Sequence, residues 1–190
     1  MSSTYRTAVA HEAAGEYIEA AKAYALCDEP HKVAEMHVLE AGRRAVPGSA
    51  ALELLVAVHL LIDDTEAPRP LLKRLGEALL RLVRSRDLVD SDRELLVYAG
   101  RLLARAGELG LAAEAYQRAG DVEQAVACLE QAGEIEQVEK LLQGQAQKRE
   151  QAQREKELFA RYEADLRLGR RHEALQSLRL LVECAVDRRE

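Results

Sequence analysis

The chain contains no tryptophan, no asparagine and one phenylalanine, Phe159, among its 190 residues. Without large aromatics, a hydrophobic core must be made of Leu, Ala and Val, which suits helices better than sheets. Runs of alternating β-branched residues are missing, and prolines number only four. The three cysteines, Cys27, Cys128 and Cys184, are far apart, odd in number and outside any CxxC pair. That argues against a disulfide or redox role and reads as small buried thiols in a reducing compartment. Met1 to Glu12 has no apolar leader segment, and the longest apolar run, Ala50 to Ile62, carries Glu53 and His59 and is too short to span a bilayer. The expectation is a cytoplasmic protein. No P-loop, GxGxxG, GxSxG or HExxH occurs. His31 and Glu35 stand four apart, but that spacing alone supplies too few ligands for a metal. No catalytic residue, cofactor or metal is therefore expected.

What is present is one recurring pattern. A glycine is followed five residues later by a small or apolar residue, and nine residues later by Tyr or Leu. It reads Gly15-Ala20-Tyr24, Gly107-Ala112-Tyr116, Gly120-Ala125-Leu129, Gly133-Val138-Leu142 and Gly169-Ala174-Leu178. A unit repeated in this way predicts helical hairpins, each stacked on the next. Periodicity places a first helix over about Thr4–Cys27 and a second from Asp28 and Pro30 to Gly42. Pro47-Gly48 breaks the chain, and Ser49 caps a third helix over Ala50–Ile62. That helix is apolar on nearly every side, so it is expected to be the most buried element. Asp63–Pro70 reads as a linker. Helices then follow over about Leu71–Ser85 and, capped by Asp90 or Ser91, Asp92–Ala106. Short ones should span Glu108–Ala119, Asp121–Ala132 and Glu134–Leu142, each ended by a left-handed glycine. Gln143–Glu157 is polar, either an exposed helix or a mobile connector. A last hairpin turns at Gly169, and Asp187–Glu190 should fray.

Leu95–Ala119 resembles a tetratricopeptide repeat, on Leu96, Gly100, Leu103, Gly107, Ala112, Tyr116 and Ala119. Leu158–Leu181 and residues 1–27 are similar to the same unit. The 107–142 stretch is also similar to the helical tails of coat and transport scaffold proteins. The resemblance implies an all-α fold, a short α-solenoid of stacked antiparallel helical hairpins with a right-handed superhelix. Its expected parts are N-terminal hairpins over 1–66, central repeat-like helices over 67–142, and a polar connector with a C-terminal hairpin over 143–190, all in one continuous domain.

The resemblance also implies a concave groove lined by the first helix of each hairpin. Val97, Tyr98, Arg101 and Arg105 would line it, and in the last hairpin Lys156, Phe159 and Glu163. Family members that clamp a C-terminal carboxylate use asparagines at such positions, and this chain has none. The net charge is −6, with residues 67–105 locally basic at 9 bases to 5 acids. There Arg74, Arg81 and Arg84 form a strip that could meet an anionic partner. Overall acidity and the lack of interleaved aromatics argue against nucleic acid. The expected function is a non-enzymatic adaptor holding a peptide or helix of another protein. Arginine far outnumbers lysine, a bias of GC-rich bacterial genomes, which suggests a bacterial assembly. The alternative is a homo-oligomer formed through an exposed apolar end, with Ala50–Ile62 as its expected contact.

Overall fold

A computed structural model of the chain describes residues 2–84 and 90–187, with the side chains of 90, 186 and 187 excepted. The capping role expected of Asp90, the helix end expected at Ser85 and the fraying of the last residues lie outside what is described. Ten α-helices, and no strand among the described residues, make up the structure: α1 (Ser3–Ala14), α2 (Tyr17–Ala25), α3 (Pro30–Arg43), α4 (Pro47–Leu61), α5 (Arg69–Arg84), α6 (Asp90–Ala106), α7 (Leu109–Ala119), α8 (Val122–Ala132), α9 (Ile135–Arg167) and α10 (Arg171–Asp187). The chain divides into two compact units, Met1–Ile135 and Glu136–Glu190.

In the first unit consecutive helices pack on each other from α1 to α8, and α3 also touches α5. The turns follow from the sequence pattern. All five of its glycines, Gly15, Gly107, Gly120, Gly133 and Gly169, have positive φ, between 71° and 89°. At each, the following amide bonds back to a carbonyl five residues earlier, as Glu108 N does to Leu103 O at 2.9 Å. A side chain at these positions would be strained, so glycine ends the helix at little cost. The expected first helix is consequently two, broken at Gly15.

Packing is closest where side chains are smallest. A Cβ on Gly100 would lie 2.7 Å from the Tyr116 ring, and one on Gly76 would lie 2.6 Å from Leu103 Cγ. Leu71, Leu72, Leu75, Leu79, Leu80 and Val83 of α5 are buried, as are Leu95, Leu96, Ala99, Leu102 and Leu103 of α6. The helix expected to be most buried, α4, is not. Leu52 is 66% exposed and Val56 42% exposed, because α4 buries only one side of an all-apolar surface.

Arginines from later helices secure the C-terminal ends of earlier ones. Arg43 of α3 donates to Gly15 O, just after α1. Arg105 of α6 donates to Leu61 O and Ile62 O at the end of α4, both at 2.8 Å, and to Asp64 O. Arg118 of α7 reaches Val83 O of α5 at 3.3 Å. In all three the donor helix lies two places along the chain from the end it caps. A guanidinium there satisfies free carbonyls and opposes the negative helix pole.

The expected short helix over Glu134–Leu142 does not end there. α9 continues for 33 residues, so Gln143–Glu157 is helical throughout. Gly144 lies inside it without positive φ, and no proline interrupts it. Among the described residues of the second unit, Val138, Asp165, Ala174 and Ser177 are buried.

Candidate functional site

Three helices of the first unit leave a cleft of about 400 Å³. Val38, Leu39 and Ala41 come from α3, Pro47, Ala50 and Leu54 from α4, and Ala78 and Leu82 from α5. The floor is open because the residues where the helices meet are small: Ala41, Gly42, Ala45, Ala50 and Ala78. Arg44, Arg74 and Arg81 complete its lining.

The electrostatics of these arginines differ. Arg44 pairs with Glu40 at 2.8 Å and Glu53 at 3.1 Å. Glu53 also meets His37 at 2.7 Å, in a pair that ties α3 to α4. Arg74 pairs with Glu35 at 2.9 Å, and Lys32 meets the same carboxylate at 3.1 Å. Burial raises the Glu35 pKa, but Lys32 and Arg74 outweigh it and hold the carboxyl below its ordinary range. Arg81 forms no ion pair among the described residues and donates only to Glu77 O of its own helix, at 3.4 Å. Among the described residues, Arg81 is therefore the lining cation whose charge meets no carboxylate. A smaller depression of about 240 Å³, lined by His31, Lys32, Glu35, Pro68, Pro70 and Leu71, lies on the other side of Arg74.

The basic strip is dissected by the same pairings. Arg84 grips Glu114 through both carboxylate oxygens at 2.6 Å, and Arg74 is held by Glu35. Of Arg74, Arg81 and Arg84, Arg81 is the one without an ion pair among the described residues. The expected groove on α6 is likewise altered. Tyr98 bonds to Glu94 at 2.8 Å, which with the nearby Glu94 charge raises its phenol pKa. Arg101 faces Asp63 at 3.7 Å, and Val97 is half-buried. Arg105 is engaged by three backbone carbonyls and serves as a clamp on α4, an architectural role that the sequence reading did not give it. In the second unit Lys156 and Glu163 are exposed and Phe159 is 53% exposed. The Phe159 ring stands 6.2 Å from that of Tyr162, and Glu163 pairs with Arg167 at 3.5 Å.

His31 bonds not toward Glu35 but to Asp64, at 2.6 Å. No group of three or more His, Cys, Asp or Glu side chains is placed to hold a metal among the described residues. Cys128 is buried and its thiol pKa is pushed up by burial, so it is a poor nucleophile. No described helix is long and apolar enough to cross a membrane.

The arrangement defines a class: an all-α protein whose first unit packs successive helices against each other and leaves an apolar, arginine-edged cleft between α3, α4 and α5. No protein-family model, curated protein or solved structure matches the chain.

The sequence reading missed Leu39, Arg44, Pro47 and Leu54 as cleft residues. The one local signal was the cluster of small residues around Gly42 and Ala45, next to the Pro47-Gly48 break.

Proposed function

We propose that this protein is a non-enzymatic adaptor that holds an acidic amphipathic segment of a partner protein in the α3–α4–α5 cleft. The observation that carries this reading is Arg81, which has no ion-pair partner among the described residues, beside an apolar floor. Apolar side chains of the partner would fill the cleft, and a neighbouring carboxylate would pair with Arg81. The helix-to-helix arginine clamps, the pattern glycines and the Gly100–Tyr116 contact support a tetratricopeptide-like solenoid with a right-handed superhelix as the scaffold. A bacterial, cytoplasmic assembly is the setting this reading favours.

The test is fluorescence anisotropy with two labelled helical peptides. One carries a leucine stripe flanked by glutamates, and the other has the same stripe flanked by lysines. Wild type should bind the first and discriminate against the second. Arg81→Glu should weaken the acidic peptide by at least about tenfold, while Arg101→Glu should leave it unchanged. Equal binding of both peptides, or indifference to Arg81→Glu, would overturn the proposal.

A further inference from the structure

The second unit carries an apolar face that its own helices do not cover. α10 has two adjacent lines of residues at heptad-like spacing. Ala174, Ser177, Leu181 and Cys184 form one line, with Ala174 and Ser177 each 2% exposed. Leu175, Leu178, Val182 and Ala185 form the other, with Leu175 at 55%, Leu178 at 40% and Val182 at 56% exposure.

The first line faces α9. Gln151 of α9 donates to Cys184 O at 3.5 Å, and Gly169 turns the chain just after Asp165, so the two helices run antiparallel. On α9 the matching line is Gln151, Leu158 and Asp165, with Ala152, Phe159 and Leu166 one residue further on. One residue turns a side chain by about 100° on a helix. In an antiparallel pair, that turn carries the second line of each helix to the same side of the pair. Phe159 and Leu166 thus join Leu175, Leu178 and Val182 on one face.

Among the described residues of the α9–α10 hairpin, Asp165, Ala174 and Ser177 are the buried side chains, and two of these three are polar. Ordering two helices is entropically costly, and so few buried apolar side chains offset little of it. The symmetry of the open line says what completes it. Leu175 and Ala185, and likewise Leu178 and Val182, are equidistant from residue 180. Arg179 and Glu183 border the same depression as Leu175, Leu178 and Val182, and neither has an ion-pair partner among the described residues. A second copy of α10 laid antiparallel places Leu178 against Val182, and Arg179 of each chain beside Glu183 of the other. An apolar line and a charge pair that both map onto themselves under a twofold axis define an isologous contact.

We infer that the protein self-associates through this face, two copies of the α9–α10 hairpin forming an antiparallel four-helix bundle. The inference uses no residue of the α3–α5 cleft and stands apart from the adaptor reading.

Sedimentation equilibrium of the full chain tests it. Wild type should approach twice the 21.1 kDa chain mass as concentration rises. Arg179→Glu and Glu183→Arg each place like charges opposite one another, so each alone should self-associate at least about tenfold more weakly. An equimolar mixture of the two variants pairs opposite charges at both contacts and should recover the dimer. That recovery also shows that neither variant failed to fold. Leu178→Glu should abolish the dimer. A wild-type monomer at all concentrations, a dimer indifferent to the single charge reversals, or a mixture no better than its components would each overturn the inference.

Discussion

Gly100 and Gly76 are the residues on which close helix packing most directly depends. In an open helix, alanine in place of glycine gains about 1 kcal/mol. At Gly100 the added methyl would meet the Tyr116 ring at 2.7–2.8 Å on three carbons, and the ring is itself buried. Gly100→Ala should therefore destabilise by about 1–3 kcal/mol, the usual range for overpacking. Gly76→Ala should do the same, since its methyl would meet Leu103 Cγ and Ala99 O. Gly144 has open space around it and sits inside α9, so Gly144→Ala should instead increase helix stability by about 0.5–1 kcal/mol. Urea unfolding of the three variants checks both signs. Gly100→Ala combined with Tyr116→Leu should recover part of the loss. Loss and gain of equal sign at Gly100 and Gly144 would mean that propensity, not packing, decides at both.

Where helices meet, the arginine clamps explain what local pattern could not show. Arg105 and Arg101 look alike in sequence, four apart on the same helix. Arg101 is 50% exposed with an ion pair of 3.7 Å, whereas Arg105 holds carbonyls brought to it from 41 to 44 residues away. No periodicity encodes that partner, so both read as groove residues. Arg105→Ala should cost about 2 kcal/mol, in the range for charged hydrogen bonds, and Arg101→Ala should stay within about 0.5 kcal/mol. Chemical denaturation separates them, and equal effects would remove the clamp. At the same junction Asp64 accepts from His31 and from the Glu66 amide, and these bonds lower its pKa. A depressed carboxyl contributes stability that is present above its unfolded value, near about 3.9, and is lost as pH falls through the folded value. Thermal melts between about pH 5 and pH 3 should therefore fall less steeply for Asp64→Asn than for wild type. Parallel curves would show that the junction is not linked to that proton.

At the scale of the whole molecule, the sequence showed where the chain turns better than which way its helices face. The five pattern glycines are the five with positive φ, because a left-handed turn is a local demand on one residue. The open side of α4 was hidden because its residues are apolar all round. The length of α9 was hidden because strong helix formers without an apolar stripe continue a helix only for lack of a stop signal. The cleft depends on three helices separated along the chain and had no local signature beyond small residues. The same contrast between units yields a last prediction. Hydrogen exchange follows local burial, so the slowest amides should lie in α5 and α6, around the fully buried Leu75, Leu79, Leu96 and Leu103. α10, which buries Ala174 and Ser177 but leaves Leu175, Leu178 and Val182 open, should exchange fastest among the longer helices in dilute solution. Raising the protein concentration should slow α10 and the facing part of α9 while leaving α5 and α6 unchanged, since only the former gain cover from a second copy. Protection of α10 equal to that of α5 at the lowest concentration would instead mean that the hairpin is complete without a partner.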